Sequence, residues 1–302
     1  MIEIHCQKDE LLKGVQLVQS AISPRSTLPV LSNILFEADG EGLRLSSTDL
    51  EVGVRCLVKA DVKSGGALTV PARPLSEFLR TLDDGRELLL KSVDGQKIEI
   101  KSGRDRCSLA CLPKDDYPVL PEFNLEKAVS LNASVLREMI RKTIFAVSTD
   151  ETRYVLNGVD LVIEKGKMIL VATDGRRLAF VERETADKKA TVSAIIPTKA
   201  VNELARVLGT DDKTGELQMA FTENQVTFKH KNVIIISRLI EGNFPNYEQV
   251  IPKGHDIQLR LKAKQVLAAT QRAAVGTMER GGSVRYSLSE NTLQISASAQ
   301  GR

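Results

Sequence analysis

One block of sequence is written about two and a third times along this chain, and that repeat limits the folds open to it more than any single residue. Each copy opens on a short strand and a helix, over 2–20, 129–147 and 257–274. A strand pair follows, at 34–45, 159–172 and 284–297. Asp49 and Asp174 come just past that pair in the first two copies, and the motifs ending in Arg73 and Lys199 then open a second helix. Both copies close alike, on Asp115-Asp-Tyr-Pro-Val-Leu-Pro121 and Asn243-Phe-Pro-Asn-Tyr-Glu-Gln-Val-Ile-Pro252. A period of about 125 residues is far longer than a solenoid unit, so it describes whole domains in a row. Such a chain is built for rotational pseudo-symmetry, not around a single catalytic cleft.

Within each copy, strands dominate. Turns such as Asp39-Gly40, Asp94-Gly95, Lys165-Gly166, Glu223-Asn224 and Glu290-Asn291 separate alternating apolar runs, as hairpins require. Each helix carries one apolar stripe, for example Val135, Leu136, Met139, Ile140 and Ile144, with Arg137, Arg141 and Lys142 turned elsewhere. Ser134 is the expected N-cap of that helix, and Pro197 suits the first turn of another. The fold class is therefore α+β, with repeated domains of two halves, each a helix followed by antiparallel strands. The domains are placed at 1–123, 128–252 and 256–302. The third holds only the first half of the repeat, so it is expected to be partial, its C-terminal half absent.

Of 302 residues, 42% are hydrophobic and 27% charged, which fits a soluble globular protein of two or three domains. No apolar run reaches a membrane span, the first residues enter a strand without a signal peptide, and Cys6, Cys56, Cys107 and Cys111 lack metal spacing. A cytoplasmic protein with reduced cysteines is expected. The net charge of +3 is small, but the helices predicted at 7–20, 72–82, 134–147, 198–208 and 262–274 carry more positive charge than the whole chain. The rest is therefore acidic. Basic helices on an acidic body suggest one surface turned toward a polyanion.

Phosphate-loop, dinucleotide and nucleophile-elbow motifs are absent from the sequence. His5, His230 and His255 stand apart, and the acid pairs Asp115-Asp116 and Asp211-Asp212 lack companion ligands. No metal and no cofactor is expected. Arg73, Glu77 and Arg80 match Lys199, Glu203 and Arg206 at i, i+4 and i+7, so each helix presents two cations flanking an acid. The turn Thr173–Leu178, with Arg176, Arg177 and Leu178, could edge an apolar groove beside Pro245, Gln249 and Val250.

Taken in order, Arg25-Ser-Thr-Leu-Pro-Val-Leu-Ser-Asn-Ile-Leu, Thr48-Asp-Leu-Glu, Val70-Pro-Ala-Arg, Ser102-Gly-Arg-Asp-Arg, Arg153-Tyr-Val-Leu-Asn-Gly and Val171-Ala-Thr-Asp-Gly-Arg-Arg-Leu resemble the bacterial DNA polymerase III beta subunit, the sliding clamp. The resemblance implies the DNA clamp fold, a head-to-tail ring with helices on its inner face and sheets outside. It marks Arg25, Arg73, Tyr154 and Val155 as DNA contacts, with Lys199, Arg206, Arg137 and Arg141 as neighbouring candidates. Asp150 stands where the family can offer an amide to DNA. A partner-peptide pocket would comprise Leu156, Thr173, Gly175, Arg176, Arg177, Leu178, Pro245, Gln249 and Val250, its other wall built by a family tail. The ring interface would set Cys107 against Val275 and Gly276. Implied partners are double-stranded DNA, the DNA polymerase III catalytic subunit, the clamp loader and other clamp-binding-motif proteins, with a homodimer expected for the complete chain and no membrane. Two rival readings are a metal-dependent nucleic-acid hydrolase using Asp115 and Asp116, and a partner-binding scaffold that never touches DNA.

Overall fold

Strand after strand alternates apolar and polar side chains, and each alternation is realised as an antiparallel sheet with one face closed by helices. The computed structural model describes residues 2–23, 28–122, 128–185, 187–209, 215–254, 256–277 and 283–298. They form two compact units, Met1–Pro245 and Asn246–Arg302.

In the first unit, copy one begins with β1 (Glu3–Gln7) and α1 (Lys8–Gln19). It continues through β2 (Asn33–Asp39), β3 (Gly42–Thr48), β4 (Val52–Val58), β5 (Asp61–Ser64) and β6 (Gly66–Pro71). Its second half is α2 (Ala72–Thr81), β7 (Glu87–Val93), β8 (Lys97–Ser102) and β9 (Asp105–Ala110). Copy two repeats the order, without a counterpart of β5, as β10 (Ala128–Asn132), α3 (Ala133–Thr143), β11 (Gly158–Glu164), β12 (Lys167–Thr173), β13 (Leu178–Glu184) and β14 (Val192–Pro197). It closes with α4 (Thr198–Gly209), β15 (Glu216–Phe221), β16 (Gln225–His230) and β17 (Val233–Arg238).

The copies are fused through their backbones. β17 of copy two pairs antiparallel with β4 of copy one, Val233 opposite Cys56 and Ser237 opposite Val52. One eight-stranded sheet, β10-β15-β16-β17-β4-β3-β2-β6, therefore runs through both. A five-stranded sheet, β5-β1-β7-β8-β9, and a four-stranded sheet, β13-β12-β11-β14, flank it. The repeat counterparts of the two seam strands, β9 and β13, end up as sheet edges. Val54, Cys56, Phe228 and Ile235 belong to a single apolar core with Leu11, Val15, Leu75, Leu136, Val201 and Leu204 from the helices. At α1 the approach is so close that a Cβ on Gly14 would come within 2.5 Å of Val58 Cγ2.

Local signals fall where sequence reading put them, with shifts of a residue or two. Asn132, not Ser134, caps α3: its side chain accepts from the amides of Ser134 and Val135 at 3.0 and 3.2 Å. Asn132 precedes the apolar stripe by the spacing a cap needs, and Ser134 lies inside the first turn. Pro197 closes β14, and α4 starts only at Thr198. Asp94-Gly95 and Lys165-Gly166 take the positive φ of hairpin turns, whereas after Asp39-Gly40 it is Gly42 that does so. Asn291 does so in the last hairpin, but neither Glu223 nor Asn224, expected as such a turn, has a positive φ.

The second unit contains α5 (Ala263–Ala274) packed on the hairpin of β18 (Ser283–Ser289) and β19 (Thr292–Ser298), with Thr270 Oγ1 2.7 Å from the Tyr286 hydroxyl.

Candidate nucleic-acid interface and partner groove

α1 and α4 cover the same face of the eight-stranded sheet, and α2 and α3 pack beside them. α1 buries its apolar stripe on β3 and β4 and α4 on β16 and β17, whereas α3 packs mainly on β12 and β13 of the four-stranded sheet; each helix keeps a polar outer side. Cations populate these sides unequally.

Arg137 and Arg141, one turn apart on α3, are exposed and make no ion pair among the described residues. Arg80 is likewise exposed. Arg73 is exposed but bonded, Nε to Glu77 Oε1 at 2.8 Å, which raises the guanidinium's proton affinity further. The pattern of two cations flanking an acid therefore holds on α2.

On α4 the same pattern of two cations flanking an acid serves another purpose. Lys199 Nζ pairs with Asp49 of copy one, whose side chain is only 10% exposed. Arg206 Nη2 donates to the Leu17 carbonyl at 2.7 Å and to Glu203 Oε2 at 2.7 Å, and it also meets Ser20 Oγ. The Ser20 hydroxyl donates to Glu203 Oε2 at 2.6 Å. Leu17 lies in the last turn of α1, where unpaired carbonyls and the helix dipole attract a cation. The physical reason is position. α4 sits on the seam between copies, so its charges find partners in copy one.

The loop ends of copy two converge on the turn Thr173–Leu178. Asp174 Oδ1 accepts from the amides of Arg176 and Arg177 at 2.9 and 3.0 Å, and these bonds hold its carboxyl below the usual range. In copy one, Asp49 Oδ1 accepts from the amides of Glu51 and Val52 at 3.0 and 2.8 Å. Thr173 Oγ1 donates to the Arg177 carbonyl at 2.7 Å, closing the turn. Gly175 has φ +83°, and a Cβ there would meet Arg153 Nη1 at 2.8 Å. Arg177 bonds Asp174 Oδ2 at 2.9 Å and lies 5.9 Å from the centroid of Phe145, an exposed ring just past α3. Leu178 is half-buried at the turn's end.

Leu156 is buried at the end of a short helical segment, Glu151–Leu156, whose first turn is capped by Asp150. Bonds from Thr152 lower the Asp150 carboxyl's pKa, so this residue is engaged as a cap. Tyr154 and Val155 lie on the same segment and pack against Gly242, where a Cβ would come within 3.0 Å of Val155 Cγ1 and 3.4 Å of the Tyr154 hydroxyl. Pro245 is exposed at the end of the first unit, and Gln249 and Val250 belong to the second. Phe145 and Arg153 were not singled out as groove residues. Their partners lie over 20 residues away in sequence, and no local pattern announces such a contact.

Cys107 is half-buried on the edge strand β9, and burial raises its thiol pKa. Val275 and Gly276 sit in a helical turn of the second unit, Val275 exposed. Asp115 and Asp116 are exposed in a turn after β9. Among the described residues no group of three metal-ligating side chains comes together. His230 is buried, with Nδ1 3.1 Å from the Glu216 carbonyl. Arg25, His255, Asp211 and Asp212 lie outside the described residues.

The family models for the DNA polymerase III beta subunit match residues 2–121, as its N-terminal domain, and 130–246, as its central domain. The beta sliding clamp of Pseudomonas aeruginosa is 36% identical over 293 residues, 96% of this chain and 79% of that protein. That of Haemophilus influenzae is 34% identical over 98% of this chain and 81% of its own length. Among solved structures, the Pseudomonas aeruginosa clamp bound to griselimycin superposes with a TM-score of 0.90 at 34% identity, covering 97% of this chain and 79% of that one. The Bacillus subtilis polymerase sliding clamp gives 0.91 at 29% identity, covering 97% and 80%.

Proposed function

This chain belongs to the DNA polymerase III beta-subunit family, the DNA sliding clamps, and from that premise we propose that Arg73, Arg137 and Arg141 hold duplex DNA through its phosphates. The observation that carries this is the pair Arg137 and Arg141, exposed one turn apart on α3 and unpaired by any ion partner among the described residues. Phosphate contacts position a protein without reading sequence, which suits a ring that must slide. Tyr154 and Val155, on the segment Glu151–Leu156, add further contacts, and Arg25 is a candidate from the family resemblance alone. Lys199 and Arg206 contribute to the local potential while remaining tied to copy one. The protein acts as a processivity factor without catalysis of its own, because encirclement tethers the polymerase topologically.

Partners, the polymerase III catalytic subunit and clamp loader among them, dock an extended peptide against Leu156, Thr173, Gly175, Leu178 and Pro245, with Arg176 and Arg177 on the rim. Apolar anchors in a pre-formed pocket dominate recognition of this kind. Closure into a homodimer uses the β9 edge around Cys107 of one copy and the Val275–Gly276 turn of another, in the cytoplasm.

The test is the salt dependence of duplex DNA association. The double change Arg137→Glu, Arg141→Glu should weaken binding to all sequences alike and flatten the log–log salt slope by about 1 per lost phosphate contact. An unchanged slope would remove these two residues from the interface.

A further inference from the structure

A second site lies on the opposite, sheet side of copy two, and it does not depend on the clamp reading. We propose that the cavity between β11, β14 and the loop 239–244 binds an aliphatic diammonium compound, with Asp160, Glu223 and Glu241 as its carboxylate partners. The cavity encloses about 720 Å³ and is lined by these three acids, with no basic side chain among the lining residues. Ile195, Ile240 and Phe244 supply an apolar wall.

Asp160 carries the argument. Strand alternation sends its neighbours Val159 and Leu161 into the core and turns Asp160 to the other face, into the cavity. The residue is only 6% exposed, and its carboxylate has no hydrogen-bond or ion-pair partner among the described residues. Its carboxylate oxygens are not sealed in the protein but open on the cavity, where a bound cation could pair with them. Burial alone pushes its pKa up to about 6, with no neighbouring charge contributing. A cation in the cavity would favour its ionised form. Glu223 and Glu241 at the mouth are exposed and form no ion pair among the described residues.

The shape selects the class of cation. No three ligating side chains among the described residues converge on one point, so a bare divalent ion has no coordination shell here. A chain with ammonium groups at its ends matches instead, its methylenes on Ile195 and Ile240 and one head over the half-buried Phe244, where a cation–π contact is available. Inner and outer carboxylates then take separate ends.

Calorimetric titration with 1,4-diaminobutane at low ionic strength tests this, with 1-aminobutane and magnesium chloride as controls. One saturable site is expected, with the monoamine and magnesium both weaker. Asp160→Asn should lower affinity about tenfold, the loss of one charge-assisted bond, and Glu241→Gln should lower it measurably as well. Asp160→Asn removes a buried charge, so its melting temperature should not fall. If that variant nevertheless misfolds, Glu241→Gln on the exposed loop still decides. Absence of saturation, equal diamine binding by both variants and the parent, or magnesium binding as tightly as the diamine would each overturn the proposal.

Discussion

Lys199 and Arg73 occupy the same place in the repeat, yet their charges do different work. Among the described residues Arg73 bonds within its own helix, to Glu77, while Lys199 reaches Asp49 in the preceding copy. Sequence pattern revealed the cations and their spacing. It could not reveal the partner of Lys199, because that pair spans 150 residues and depends on how two domains dock. A double-mutant cycle on Lys199→Met and Asp49→Asn checks the assignment, since asparagine keeps the oxygen that accepts from Glu51 and Val52. The pair is part-buried, so either single change should destabilise the fold by about 1–3 kcal/mol, between the exposed and buried limits. The double change should cost clearly less than the sum. Additive losses in urea unfolding would mean that the contact contributes nothing to stability.

At the level of elements, strands and helices were legible because their period and stripe are local properties, and their ends were less so. α3 begins at an Asn132 cap where Ser134 was expected, since both residue types cap and only the backbone geometry separates them. The turn Thr173–Leu178 was visible as a turn from its Thr-Asp-Gly run, whereas the Phe145 ring beside Arg177 was not. Asp174 holds that turn at three points, the amides of Arg176 and Arg177 and the Arg177 guanidinium, beside the bond from Thr173 to the Arg177 carbonyl. Asp174→Ala should release all three and let Arg177 and Leu178 wander, weakening a docked peptide at least several-fold. The turn is at the surface, so stability should fall by only about 1–2 kcal/mol, and DNA association should keep its salt slope. Asp174→Asn, which can still accept from both amides, should recover most of the peptide affinity. Peptide binding by fluorescence anisotropy separates these cases, and full affinity in the alanine variant would place the anchor elsewhere.

For the whole molecule, the repeat led to domains in a row, and the structure adds that the first two share a sheet. The β17–β4 seam was hidden because each strand alternates as an ordinary half-buried strand would, and nothing in that pattern says which chain segment lies alongside. Once the seam is known, the repeat gains a directional logic. β9 and β13 are the counterparts of the two seam strands, and each stands at a sheet edge with its hydrogen-bonding groups open. The proposed ring contact around Cys107 would use the β9 edge in the way that β17 is used at the seam. A shared sheet and one continuous core also predict that copies one and two open together. Native-state hydrogen exchange should show amides of β4 and β17, paired from Cys56–Val233 to Val52–Ser237, protected to the same free energy, that of global unfolding. The edge strands β9 and β13 should exchange earlier, through local opening. If β17 instead exchanged with copy two while β4 stayed protected, the seam would be a docking contact between independently folding domains, and the cooperative unit would be the single copy.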